Sequence, residues 1–159
     1  MVSVTALAEG NQQLEELYRV DGVRLWRALL AFAGDPEVAS DSVAEAYAQA
    51  LRRGAALNDP QAWVWRAAFR IAAGELKQRG STTSLMPDAG YLDHHLDTEL
   101  IDALAQLPDR QRAAVVLFYY ADASVRDIGR RTGTSQLAVR ANLSRGRKRL
   151  KQILGERND

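Results

Sequence analysis

The amino-acid sequence predicts an all-α protein of two small helical domains joined by a flexible linker, the C-terminal domain containing a helix-turn-helix. Apolar residues recur at helical spacing along most of the chain, and no stretch alternates with period two for long enough to make a strand. Asp-Pro occurs twice, each time ahead of an Ala-rich periodic segment, which is a helix-start signal. The polar stretch "GSTTSLMPDAGYLDHHL", residues 80–96, carries no sustained apolar period and divides the chain. The expected units are 11–80, a linker at 81–96, and 97–154.

Leu14, Leu17, Tyr18, Leu25, Leu29 and Phe32 lie three, four and seven residues apart, giving one apolar stripe on a first helix over about 12–33 that Gly34 closes. Asp35-Pro36 and Asp59-Pro60 open the next two helices, roughly 36–53 and 60–79. Asp accepts hydrogen bonds from the first free N–H groups, and Pro loses nothing at the first helical position. Trp26, Tyr47 and Trp63 are expected near the core of this three-helix bundle. Beyond the linker a helix begins around Pro108 and runs through "AAVVLFYYA". Ser124 is placed to cap a short helix through Thr132, Gly133 makes the turn, and Ser135 caps a longer helix. Helix, glycine turn, helix is the helix-turn-helix order.

Composition removes several classes of function. There are no cysteines, and the two histidines, His94 and His95, are adjacent in the linker. Disulfides, thiolate metal sites and an ordinary His-based zinc site are therefore not expected. No nucleophile with a base, phosphate loop or metal cluster can be assembled from the motifs, so the expectation is a non-enzyme without cofactor or metal. The N-terminal "MVSVTALAEG" lacks the basic start and apolar length of a signal peptide, and no segment is long enough to span a bilayer. The reading is cytoplasmic, with no membrane contact.

The net charge of +1 hides a division. Residues 1–107 carry nine Lys/Arg against fifteen Asp/Glu, whereas residues 108–159 carry twelve against five. Within the basic half, "GTSQLAVRANLSRGRKRLKQIL" (133–154) has six cations and no acid. Ile128, Val139, Leu143 and Leu150 supply the inward stripe of the helix-turn-helix, which leaves Gln136, Arg140, Ser144 and Lys148 on another face. Lys and Arg on such a face gain affinity for DNA phosphates by counterion release. Arg can pair with the O6 and N7 acceptors of guanine, and Gln with the adenine edge. Gln136 and Arg140 are the expected base readers, Arg145 and Lys148 the backbone contacts, and Ser135 presents its backbone amides to a phosphate.

With these residues in view, 103–150 resembles region 4 of bacterial sigma factors, in which a Leu-Pro-x-x-x-Arg helix precedes the helix-turn-helix that recognises the minus-35 promoter element. Leu107, Pro108, Arg112, Asp127, Ile128, Gly133, Ser135, Val139, Leu143, Arg145 and Leu150 fall on that pattern. "LYRVDGVRLWRALLAFAGDPEVASDSVAEAYAQAL" and "DPQAWVWRAAFRIAAGELKQRG" resemble region 2, which engages the polymerase clamp and opens the minus-10 element. The two in order resemble the extracytoplasmic-function (ECF) sigma factors. That resemblance implies binding to bacterial core RNA polymerase and promoter DNA, an anti-sigma protein as regulator, and a monomer when free. It also implies polymerase contacts at Asp41 and Glu45, four residues apart on one helix face. Ser40-Asp41-Ser42-Val43-Ala44 stands where the family often shows Glu-Asp-Leu-Val-Gln, so Asp41 is kept and the Gln is not. Arg70 and Gly74 stand where the family commonly has Asn and Asp, and Leu137-Ala138-Val139 replaces Gly-Thr-Val.

For melted minus-10 DNA the candidates are Trp65, Arg66, Arg70, Lys77 and Arg79, aromatic and cationic side chains on one helix, as single-strand binding requires. Trp63 shares a stripe with Ala67 and Ile71 and is expected in the core. Two other readings stay open: a conventional helix-turn-helix regulator dimerising through its acidic half, and a sigma-like adaptor that binds an anti-sigma protein without initiating transcription.

Overall fold

A computed structural model of the chain describes residues 4–54, 57–80 and 98–158. Seven α-helices and no strands occur among them. The linker expected at 81–96, with its histidine pair, lies outside the described residues.

The first helix, α1 (Val4–Ala33), starts earlier than the apolar stripe indicated, and Leu14, the first residue of that stripe, is buried. Leu25 and the run Ala28–Phe32 are buried almost all round, as a helix apolar on every side requires. The reason is position. α2 (Pro36–Arg53) and α3 (Pro60–Gln78) cover one side of α1, and α4 (Thr98–Ala105) and α5 (Asp109–Tyr119) cover another.

Both Asp-Pro starts form as the sequence predicts. Asp35 accepts from the backbone N–H of Glu37 at 2.9 Å and Asp59 from that of Ala62 at 3.1 Å, each followed by Pro at the first helical position. Gly34, at φ 68°, ends α1 in the left-handed region.

In the C-terminal half, α5, α6 (Val125–Thr132) and α7 (Gln136–Asn158) pack around Val115, Val116, Leu117, Ile128, Val139 and Leu143, all buried. Arg112 ties this half to the first. Its guanidinium is buried and donates to the carbonyls of Phe32 (3.1 Å), Ala105 (3.2 Å) and Leu107 (3.0 Å), closing the C-terminal ends of α1 and α4 with one side chain. It also lies over the Phe32 ring. Burial lowers its pKa, with Asp109 opposing the shift.

Candidate nucleic-acid interface

The helix-turn-helix forms on its sequence signals. Ser124 Oγ accepts from Asp127 N–H at 3.1 Å. Asp127's carboxylate is held below its usual range, first by the Ser124 hydroxyl. The two residues therefore cap each other. Gly133, at φ 72°, donates to Gly129 O and turns the chain, and Ser135 Oγ caps α7 by accepting from Ala138 N–H at 3.1 Å. Thr134 N–H also reaches Gly129 O, at 3.0 Å.

α7 is two-faced. Val139 and Leu143 are buried, while Gln136, Arg140, Ser144, Arg145 and Lys148 are exposed. Ser135 is exposed too, although its hydroxyl serves the cap. Arg147, on the same helix, is occupied locally: it donates to Tyr119 Oη at 2.7 Å and packs on the Phe118 and Tyr119 rings. Leu137, which the sequence marks only as a departure from Gly-Thr-Val, is 77% exposed in the first turn of α7. Its signal was a large apolar residue off the inward stripe.

The region around α3 differs from expectation at its tryptophans. Trp65, expected as a contact residue, is 0% exposed. Its indole N–H donates to Asp21 at 2.6 Å, its ring stacks on Phe69, and Arg131 of α6 covers it with a guanidinium 4.4 Å from the ring centroid. Trp63, expected inside, is only partly buried and lies under Arg53. The physical reason is Asp21. This buried carboxylate needs donors, and the Trp65 indole and Gln61 amide supply them.

The predicted cations of α3 divide into two groups. Arg70 and Lys77 are exposed. Arg66 donates to Arg130 O at 3.0 Å, and Arg79 pairs with Asp35 at 2.8 Å. Across the same boundary Arg130 pairs with Asp59, and Arg24 donates to Ala121 O. The two predicted DNA-contacting surfaces thus belong to halves that are packed together.

On α2, Asp41 is exposed. Glu45, also exposed, pairs with Arg52 at 3.1 Å and accepts from Gln49, and these hydrogen bonds, that of Gln49 first, lower its pKa. No group of His, Cys, Asp or Glu suited to a metal occurs among the described residues, and none of their helices is long and apolar enough to cross a membrane.

A glycine-turned helix pair that buries one face of its second helix and exposes an acid-free cationic face defines a helix-turn-helix DNA-binding protein. Residues 97–150 match the sigma-70, region 4 family. The chain is 30% identical to the ECF RNA polymerase sigma factor SigL of Mycobacterium tuberculosis, over 98% of this chain and 96% of that one. To the RNA polymerase sigma factor SigV of Bacillus subtilis it is 24% identical, over 77% and 80%. Among solved structures, its fold is similar to that of CnrH in complex with the cytosolic domain of CnrY (TM-score 0.69, 19% identity, 96% of this chain and 94% of that one). It is also similar to that of the sigma factor RpoE in complex with the anti-sigma factor NepR from Bartonella quintana (TM-score 0.68, 20% identity, 89% and 95%). The chain belongs to the ECF family of RNA polymerase sigma factors.

Proposed function

We propose that this sigma factor directs core RNA polymerase to promoters by seating α7 in the major groove of the minus-35 element while α3 holds melted minus-10 DNA. The observation that carries the reading is the two-faced α7, which buries Val139 and Leu143 and leaves Gln136, Arg140, Ser144 and Lys148 free on one side. Gln136 and Arg140 read base edges, Arg145 and Lys148 neutralise phosphates, and Ser135 sets the start of the helix against the backbone. Leu137 adds an apolar contact of the kind that suits a thymine methyl.

On α3, Arg70 and Lys77 are the ready single-strand contacts, with Trp63 rather than Trp65 as the accessible ring. Arg66 and Arg79 join them once their present partners are released. Asp41 and Glu45 present carboxylates to the polymerase clamp. The units 11–80 and 97–154 act as separate domains on either side of 81–96, and an anti-sigma protein restrains them. The free protein is a cytoplasmic monomer and performs no catalysis of its own.

The test is run-off transcription with bacterial core RNA polymerase on fragmented genomic DNA of the source organism. Discrete starts preceded by two shared upstream elements are expected. Tight polymerase binding without transcripts would replace this reading with the adaptor. A self-associating protein that binds a symmetric operator and ignores polymerase would replace it with the conventional regulator.

A further inference from the structure

Where the two halves meet, α3, α5, α6 and α7 line a cavity of about 370 Å³ that opens to solvent, within the size range of small-ligand sites. Four guanidinium side chains line it, Arg66 and Arg70 from α3, Arg110 from α5 and Arg131 from α6, and the one carboxylate on its wall is Asp109. Asp109 is drawn toward Arg112, 3.6 Å away. Phe69 and Val139 contribute to the apolar part of the lining.

Arg131 is the anomaly. It is 7% exposed, its Nη1 is buried without a hydrogen-bond partner, and Arg24 stands close enough to repel it. Burial and that repulsion lower its pKa, against the pull of Asp127, Asp21 and Asp59. A buried cation stacked on Trp65, beside three further arginines and one diverted acid, concentrates positive charge on this wall, and an oxyanion in the cavity would offset that charge. Guanidinium forks match phosphoryl oxygens in a bidentate manner, and the apolar wall suits the remainder of a nucleotide-sized molecule.

We propose that this cavity is a binding site for a small phosphorylated ligand, its phosphoryl group held among Arg66, Arg70, Arg110 and Arg131. Both halves of the chain build the site, so occupancy favours the packed arrangement. If Arg66 and Arg70 also hold minus-10 DNA, a consequence that rests on the function proposed above, the ligand competes with promoter opening.

Binding is measured by titration calorimetry of the full chain with ADP and with pyrophosphate at about 0.15 M salt, where exposed charges are screened beyond about 8 Å. This assay contains neither polymerase nor DNA, so its failure leaves the transcription result untouched, and the converse also holds. One saturable site is expected. Arg131→Gln should weaken it about tenfold, and Arg70→Ala and Arg110→Ala about threefold or more each, as expected for loss of charge-assisted hydrogen bonds. Arg145→Ala with Lys148→Ala, on the outer face of α7, should leave it unchanged. Arg70 and Arg110 are exposed, so their variants keep the test valid should Arg131→Gln fail to fold. Absence of saturable binding overturns the proposal. Binding that survives Arg70→Ala and Arg110→Ala, or that follows Arg145 and Lys148 instead, overturns it as well.

Discussion

Two glycine-to-alanine substitutions, chemically identical, should move stability in opposite directions. In a helix interior alanine is favoured over glycine by about 1 kcal/mol because the glycine backbone loses more freedom on folding. At Gly74, exposed in α3, an added Cβ meets nothing within 4 Å. Gly74→Ala should therefore stabilise by about 0.5–1 kcal/mol. At Gly129, inside α6, the same atom would lie 2.8 Å from the carbonyl oxygen of Thr134. That oxygen is backbone, in a turn pinned to Gly129 O by the N–H groups of Gly133 and Thr134 and braced by the hydroxyls of Thr132 and Thr134, 2.9 Å apart. The turn can yield only by giving up those bonds, and overpacking of this kind costs about 1–3 kcal/mol. Set against the propensity gain, Gly129→Ala should be net destabilising by about 1 kcal/mol and should sit about 2 kcal/mol below Gly74→Ala. Urea unfolding followed by helical circular dichroism separates values of that size. The displaced turn also carries the start of α7, so Gly129→Ala should weaken binding to minus-35 duplex where Gly74→Ala does not. Equal stabilisation by both substitutions would refute the packing argument.

Arg112→Met leaves the carbonyls of Phe32, Ala105 and Leu107 without their shared donor. A loss of about 3 kcal/mol is expected, a fall of roughly 6–12 °C in Tm by calorimetry for a chain of this size. Arg140→Ala should cost about 1–3 kcal/mol on the preferred promoter and relax preference at one base pair. Lys148→Ala should weaken all duplexes alike and reduce the salt slope by about one, both read from fluorescence anisotropy at several salt concentrations. Ser124→Ala removes the cap of α6, at about 1 kcal/mol near neutral pH. Asp127's pKa is depressed in the folded protein chiefly by the Ser124 hydroxyl. Its stabilisation is therefore complete above the usual carboxylate range and is lost as pH falls through the lowered value. The gap between wild type and Ser124→Ala should accordingly narrow below about pH 4 in chemical denaturation.

Punctuation was the part of the fold legible in the sequence. Asp35-Pro36, Asp59-Pro60, Ser124 with Asp127, Gly133 and Ser135 act through bonds made within a few residues, so their chemistry does not depend on the rest of the molecule. Of the expected inward stripe, Ile128 on α6 and Val139 and Leu143 on α7 are buried and Leu150 is partly so, a pattern that was readable because one face of α7 packs and the other does not. α3 resisted such a reading because it is covered from two directions, by α1 and α2 on one side and by α6 on another. An Ala-rich helix buried on two sides carries two apolar stripes, through Trp63 and through Trp65. The stripe that lies deeper is decided by Asp21, forty-four residues away. No local pattern announces a partner at that distance. The early start of α1 was hidden because its first residues add nothing to the apolar stripe that begins at Leu14 in the sequence, and the junction of the halves because Arg66, Arg112 and Arg130 read as surface cations until their partners are seen.

The packing of the halves bears directly on how such a protein uses a promoter. Elements named for positions minus 10 and minus 35 lie about 25 base pairs apart, or about 85 Å at 3.4 Å per base pair. Here α3 and α6 are in hydrogen-bond contact, Arg66 to Arg130 O at 3.0 Å, so the packed arrangement cannot serve both elements at once. Between Gly80 and Thr98 lie seventeen residues, whose fully extended reach is about 60 Å. With the breadth of the two halves added, that reach is commensurate with the spacing. Separation breaks the exposed Asp59–Arg130 pair, worth about 1 kcal/mol or less, together with the Arg66, Arg24 and Arg112 bonds to carbonyls and the Arg131–Trp65 stack. It also frees Arg131 from burial with an unsatisfied nitrogen, which returns part of that cost. The junction thus combines apolar packing of α4 and α5 on α1 with these cationic contacts, and of its arginines Arg66, which closes the free protein, is the one placed to hold the promoter once it opens.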